Sequence, residues 1–148
     1  MTRSYTLTVT EAQAAAISRA CEIVARLGIG QFRDALEQLP TTTHLPDGWH
    51  DDMQRIGEIL SRHMIGGIDG YRSSVGIHAD AVDESARILF DVHRVIRHRL
   101  SWQRAVDSGI VPSLDSPRDW SRMLGVHFDE PSPVASKEPL AQIQEAAC

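Results

Sequence analysis

The segment from Asp83 to Val106 is the feature that most restricts how this chain can fold. Acidic residues at its start suit the positive amino end of a helix dipole. Apolar residues then recur at intervals of 3, 4 and 7, which places their side chains on one side of an α-helix. These residues are Ile88, Val92, Val95, Trp102 and Val106. The pattern predicts a long helix whose apolar side is buried against other elements.

The opposite side of the same segment is strongly basic. Between Arg87 and Arg104 five arginines, Arg87, Arg94, Arg97, Arg99 and Arg104, stand against the single carboxylate of Asp91. This stretch therefore carries +4 in a chain of net charge −5, and the remainder carries −9. An aromatic ring among guanidinium groups can stack a base while the cations bind its phosphates. We interpret this side as a binding surface for a small anion. The alternative is a solvated or ion-paired face, with Phe90 in a core or a dimer contact. The residues that share this side are Arg87, Phe90, Arg94, Arg97 and Arg104.

Length and composition restrict the class of protein. A chain of 148 residues is most simply one domain, which we place at residues 1–128, followed by a Pro-rich linker and a C-terminal tail at 129–148. The sequence has no apolar run of the roughly 20 residues that span a bilayer and no signal-peptide block. Cys21 and Cys148 are too few and too badly placed for a disulfide framework. We expect a cytoplasmic protein, and its net negative charge argues against binding to duplex nucleic acid.

The amino-terminal residues have the period of a β-strand. Tyr5, Leu7 and Val9 alternate with threonines, a pattern typical of a half-buried strand. Residues 123–128 are compatible with a second strand that pairs with the first. The sequence therefore predicts an α+β fold, mostly helical, with three main helices and a small antiparallel β element near the amino terminus.

Two further helices are predicted before the basic one. Thr10 and Gln13 have capping-box spacing, and apolar residues at helical intervals predict a first helix over Glu11–Gln38. The Gly28-Ile29-Gly30 step inside it costs about 1 kcal/mol per glycine relative to alanine. We therefore expect a bend there, or a close approach by another backbone or a ligand. A shorter second helix is predicted over residues 53–64.

The sequence contains no motif of a catalytic or metal-dependent site. His93 and His98 are five residues apart, whereas helical metal-ligand pairs are three or four apart. HExxH, CxxC, GxGxxG, Walker and GxSxG patterns are all missing. We therefore expect a binding protein without a cofactor rather than an enzyme. Two alternatives stay open, a hydrolase of a nucleotide signal and an inhibitor that binds a host protein.

Four segments carry a family resemblance: residues 26–32 (RLGIGQF), 73–78 (SSVGIH), 83–88 (DESARI) and 91–102 (DVHRVIRHRLSW). They are similar to a family of small phage proteins, the first-described type of Thoeris anti-defence protein, over Leu7–Trp102. Members of that family are sponges, which sequester the cyclic ADP-ribose isomers made by bacterial TIR-domain enzymes without degrading them. The resemblance implies the same activity for this chain in the cytoplasm of the host bacterium.

The resemblance also implies an assembly and a set of site residues. Family members are homo-oligomers, so we expect a dimer or a hexamer with pockets shared between protomers, and some members also bind cyclic oligonucleotides of the CBASS defence system. Carried over by position, Arg87, Arg94 and Arg97 bind pyrophosphate, and Phe90 or Tyr71 stacks the adenine. The wall of the pocket is shaped by Gly76, Ile77 and His78, and Arg26, Gln31 or Arg62 contributes across the assembly.

The chain departs from the family pattern at two places. Val75 stands where an aromatic residue is expected, which shifts adenine stacking to Tyr71 or Phe90. His93 and Arg94 stand where the family has Tyr and Gln, so Arg94 adds a positive charge.

Overall fold

The computed structural model describes residues 4–38, 46–64, 75–114, 126 and 134–143. Within these ranges the protein forms four α-helices, and each helix contacts one or two of the others. Helix α4 packs on α1, α1 contacts α2, and α2 contacts α3. No helix in the described part is long and apolar enough to cross a membrane. The helices are α1 (Glu11–Gly28), α2 (Phe32–Glu37), α3 (Trp49–Met64) and α4 (Glu84–Asp107).

The predicted α+β class is wrong, because the described ranges hold four helices and no strand. Residues 4–10 form no regular element, and the Tyr5 and Leu7 side chains are 88% and 74% exposed. A strand needs a neighbour to pair its main-chain groups, and alternation alone does not supply one. Of the predicted second strand only Val126 is described, and it is buried against α4.

The first predicted helix is in fact two helices. Thr10 and Gln13 form the predicted capping box: Thr10 Oγ1 accepts from Gln13 N–H (3.2 Å) and Gln13 Oε1 accepts from Thr10 N–H (2.9 Å). Helix α1 ends at Gly28, and Gly30 has a φ of 84°, which favours glycine. The chain turns there and begins again as α2, so the predicted bend is confirmed.

The end of α1 lies against the start of α4. A Cβ atom built on Gly28 would lie 2.5 Å from the Cβ of Ala86, closer than two side-chain carbons can approach. The predicted close approach at this glycine is therefore confirmed, and the neighbour is α4.

Helix α4 begins as predicted, with Asp83 as its N-cap, whose side chain accepts from Ser85 N–H at 2.8 Å. Its apolar side packs Trp102 and Ala105 against Val111 and Val126, and Val111 has no exposed surface. The burial predicted for Trp102 is confirmed. Helix α4 also buries His93 against α1, so it is covered on more than its predicted apolar side.

The one carboxylate of the basic segment holds a distant part of the chain. Asp91 is only 3% exposed, and its oxygens accept from Ala135 N–H (3.0 Å), Ser136 N–H (2.9 Å) and Ser136 Oγ–H (2.7 Å). Glu84, two turns earlier on α4, accepts from Lys137 N–H. Residues 135–137 are therefore fixed along α4, and we call this segment the C-terminal strap. The division of the chain at residue 128 stays a prediction.

Gly28→Ala should destabilise the protein by about 1–3 kcal/mol, because the added methyl group meets the Ala86 methyl group in a packed interface. Denaturant unfolding measures the loss. Gly76→Ala is the matched control, since a Cβ there has no neighbour within 4 Å. The double variant Gly28→Ala/Ala86→Gly should lose less free energy of unfolding than the sum of the losses in the two single variants. Strict additivity would contradict the contact.

Asp91→Asn should destabilise the protein by about 2–4 kcal/mol, because the new amide turns a donor towards donors in a buried site. Hydrogen exchange of the Ala135 and Ser136 amides should accelerate at the same time. Asp107→Asn, at an exposed carboxylate on the same helix, is the control and should leave both amides protected. Unchanged exchange in Asp91→Asn would contradict the strap.

Candidate functional site

A cleft of about 390 Å³ lies between α1 and α4. Its charged lining consists of three arginines and one carboxylate, with a histidine beside them. Ala15, Ser18, Gln38, Leu100 and Ser101 complete the wall. An opening of this charge between two packed helices is suited to an anionic ligand. The charged lining residues are Arg19, Glu22, Arg97 and Arg104, and the histidine is His93.

The predicted arginine side of α4 is divided among different environments. Arg97 and Arg104 line the cleft, and Arg104 Nε also donates to Glu11 at 2.9 Å. Arg87 is directed elsewhere: its side chain is 15% exposed, and Nη2 donates to the main-chain oxygen of Ala79 at 2.8 Å. This bond fixes the loop before α4 to the helix, so Arg87 has a structural contact that the sequence did not indicate.

Phe90 and Arg94 form a pair on the surface of α4. The guanidinium carbon of Arg94 lies 5.4 Å from the centroid of the Phe90 ring, a cation–π contact, and both residues are half-buried. One face of the predicted stacking ring is therefore already covered by a cation. The other predicted stacking residue, Tyr71, lies outside the described residues.

Arg26 and Gln31 are brought together beside the cleft within one chain. Arg26 donates to Gln31 Oε1 at 2.7 Å and makes two bonds to Glu22 Oε1, at 2.8 Å from Nη2 and 3.0 Å from Nε. It also lies 3.4 Å from a carboxylate oxygen of Asp34. Arg26 thus neutralises and orients Glu22, the only carboxylate among the described residues of the cleft lining.

The remaining predicted site residues do not join this cleft. Arg62 is exposed near the end of α3, which contacts α2 alone among the described helices. Ile77 is half-buried and His78 is exposed in the turn before α4. Val75 N–H donates to the Ile29 oxygen at 3.0 Å, which attaches that turn to the end of α1.

The sequence analysis missed the polar contact at the base of the cleft. His93 is 8% exposed, and its Nδ1 lies 3.0 Å from both the main-chain oxygen and the Oγ of Ser18. A signal was present in α1, where buried small residues recur at intervals of four, three and four and indicate close packing by another helix. They are Ala14, Ser18, Cys21 and Ala25.

Ser18, His93 and Glu22 resemble a nucleophile, a base and a carboxylate, but their geometry does not activate the serine. A main-chain oxygen can only accept, so Nδ1 of His93 carries its proton towards Ser18 O. The same nitrogen cannot then take a proton from Ser18 Oγ, which lies 3.4 Å from the His93 main-chain oxygen. Ser18 is also buried. The trio is a structural contact between α1 and α4.

Burial and neighbouring charges set the protonation of this cluster. Burial lowers the pKa of His93 from its ordinary value, although the Glu22 carboxylate opposes this effect. Burial alone would raise the pKa of Glu22, but the hydrogen bond from Arg26 and the charges of His93 and Arg26 bring it below the ordinary value. A neutral imidazole therefore lies beside an ionised carboxylate. Burial also raises the pKa of the Cys21 thiol.

Comparison of the chain with protein-family models, curated proteins and solved structures gives no match. The resemblance to the anti-defence family therefore stays a prediction. Among the described residues no three His, Cys, Asp or Glu side chains are grouped so that they could hold a metal ion.

The lowered pKa of His93 predicts a pH-dependent stability. The unfolded chain, with an ordinary histidine pKa of 6.5, takes up a proton at higher pH than the folded chain does. The stabilisation is therefore complete above pH 6.5 and is lost as the pH falls through the folded value. His93→Gln should flatten the curve of unfolding free energy between pH 7.5 and 5, a window above the ordinary Glu22 pKa of 4.5. Urea unfolding across this window measures the slope. Parallel curves would contradict the assignment.

Proposed function

We propose that the protein is a sponge for a cyclic ADP-ribose isomer made by bacterial TIR enzymes, and that it blocks Thoeris immunity by holding this signal without cleaving it. The observation that supports this function best is the convergence of Arg19, Arg97 and Arg104 on one cleft. Glu22 is the single carboxylate in the part of the lining that the structure describes, and it is already bound to Arg26. The resemblance to the anti-defence family supplies the ligand class.

Charge neutralisation is the main physical requirement of such a ligand. The free-energy cost of burying a pyrophosphate is prohibitive without cations, whereas guanidinium groups offset it through paired, charge-assisted hydrogen bonds. A sponge must also bind tightly, and a dissociation constant of about 1 nM corresponds to roughly −12 kcal/mol. The cleft lies between two helices in direct contact, so the backbone positions that carry its arginines are fixed before the ligand arrives.

The proposal extends to the assembly and the place of action. A homo-oligomer, dimer or hexamer, would close the cleft with a second protomer and exclude water from the bound phosphates. The protein would act in the host bacterial cytoplasm, where the signal is made. Cyclic oligonucleotides of CBASS are further candidate ligands under the same family resemblance.

Arg97→Ala should weaken binding of the cyclic ADP-ribose isomer about 10- to 100-fold, because a charge-assisted bond to phosphate is lost. Calorimetry measures the affinity, and a melting curve checks that the fold is kept. Arg55→Ala, at an exposed arginine on α3 outside the cleft, is the matched control and should bind as the parent does. Equal affinity of Arg97→Ala and the parent would remove Arg97 from the site.

Mass spectrometry of ligand released by heating the complex tests storage against turnover. The protein is first incubated with lysate of cells that contain an active TIR enzyme. Recovery of the intact cyclic nucleotide is the expected result. A cleaved product would favour the hydrolase, and no bound nucleotide would favour an inhibitor that binds a protein.

A further inference from the structure

Two hydrogen-bond acceptors lie side by side in the wall of the α1–α4 cleft. Nε2 of His93 is 4.0 Å from Oε2 of Glu22. The Nδ1 atom of the same ring carries the proton that it donates to the Ser18 oxygen, so the neutral ring presents a lone pair at Nε2. Two acceptors cannot bond each other. Both acceptors can therefore take hydrogen bonds from a donor outside the pair.

The Glu22 carboxylate is oriented for this use. Its Oε1 atom receives both bonds from Arg26, at 2.8 and 3.0 Å, which leaves Oε2 on the side of His93. The Gln38 amide lies 3.4 Å from Oε1, or 3.3 Å from Oε2 when the amide is reversed. A carboxylate oxygen has two acceptor positions, so Oε2 can serve a ligand in either case.

The cleft thus has two kinds of recognition element. Arg97 and Arg104 offer only donors, which suit phosphate oxygens, while Glu22 and His93 offer acceptors, which suit hydroxyl groups. A phosphorylated ribose contains both features within one small molecule, and its vicinal hydroxyls supply two adjacent donors. Carboxylates bind ribose hydroxyls in this way in dinucleotide sites.

We propose that the acceptor pair of Glu22 and His93 binds the ribose hydroxyls of a ribosyl phosphate whose phosphates bind Arg97 and Arg104. The pair thereby selects ligands that keep these hydroxyls. This inference rests on the proposed function, because it assigns the sugar subsite of the same cleft. A site built to bond a hydroxyl rejects the analogue that lacks it, and here the half-buried Glu22 and the buried His93 would each lose a hydrogen-bond partner.

Calorimetry with ADP and 2′,3′-dideoxy-ADP tests the sugar subsite. The parent protein should bind ADP at least about tenfold more tightly than the dideoxy analogue. Glu22→Gln should bring the ratio close to one, because it replaces one acceptor oxygen of the pair by a donor amide or a weaker neutral acceptor. Glu37→Gln, on α2, changes a carboxylate that is paired with Arg33 and should keep the ratio of the parent.

The outcomes separate this inference from the function on which it rests. Equal affinities of the parent for the two nucleotides, no binding of ADP, or an unchanged ratio in Glu22→Gln would each overturn the sugar subsite. The proposed function is tested separately: it falls if the cyclic ADP-ribose isomers fail to bind or are released as a cleaved product. If Glu22→Gln does not fold, the comparison of the two nucleotides on the parent protein decides the question.

Discussion

The close packing of α1 on α4 is the contact on which the rest of the structure depends. Small side chains on α1 and the glycine at its end bring the two helices together, so that Gly28 lies against Ala86 and Ser18 against His93. That proximity buries a polar ring, which is tolerated because Ser18 accepts its hydrogen bond. The cleft opens beside Ser18 and His93, which are both part of its lining.

The arginines counted along α4 have different partners in the fold, so they are not equally available to an anion. Arg87 is bound to the oxygen of Ala79, Arg94 lies over Phe90, and Arg104 is shared between Glu11 and the cleft. A sum over the sequence treats these cations alike, whereas each has a different environment in the fold. The proposed anion site therefore lies in the space that α4 shares with α1 and not on one face of α4. Of the predicted basic side, only Arg97 and Arg104 are among the described residues that line this space.

Patterns among residues close in sequence predicted where helices form, but they did not predict which residues contact each other across the fold. The start of α4 near Asp83 and the bend at Gly28–Gly30 were predicted from residues close in sequence, and both are found. The strand at Tyr5–Val9 was wrong because alternation specifies a period but not a neighbouring strand. Ser18 and His93 are 75 residues apart, so no spacing rule within one helix could join them. Glu22 was missed for the same reason, since its role depends on His93 from another helix.

The C-terminal strap restricts the order in which contacts of the fold can form. Asp91 is 44 residues ahead of Ala135 in sequence, so during translation this carboxylate is made long before the amides that bind it. Until then the charge has to stay hydrated, which keeps that side of α4 open to solvent. The helix can form early, but its surface is sealed only after residues 135 and 136 leave the ribosome. This contact can therefore form only after residues 135 and 136 have been made.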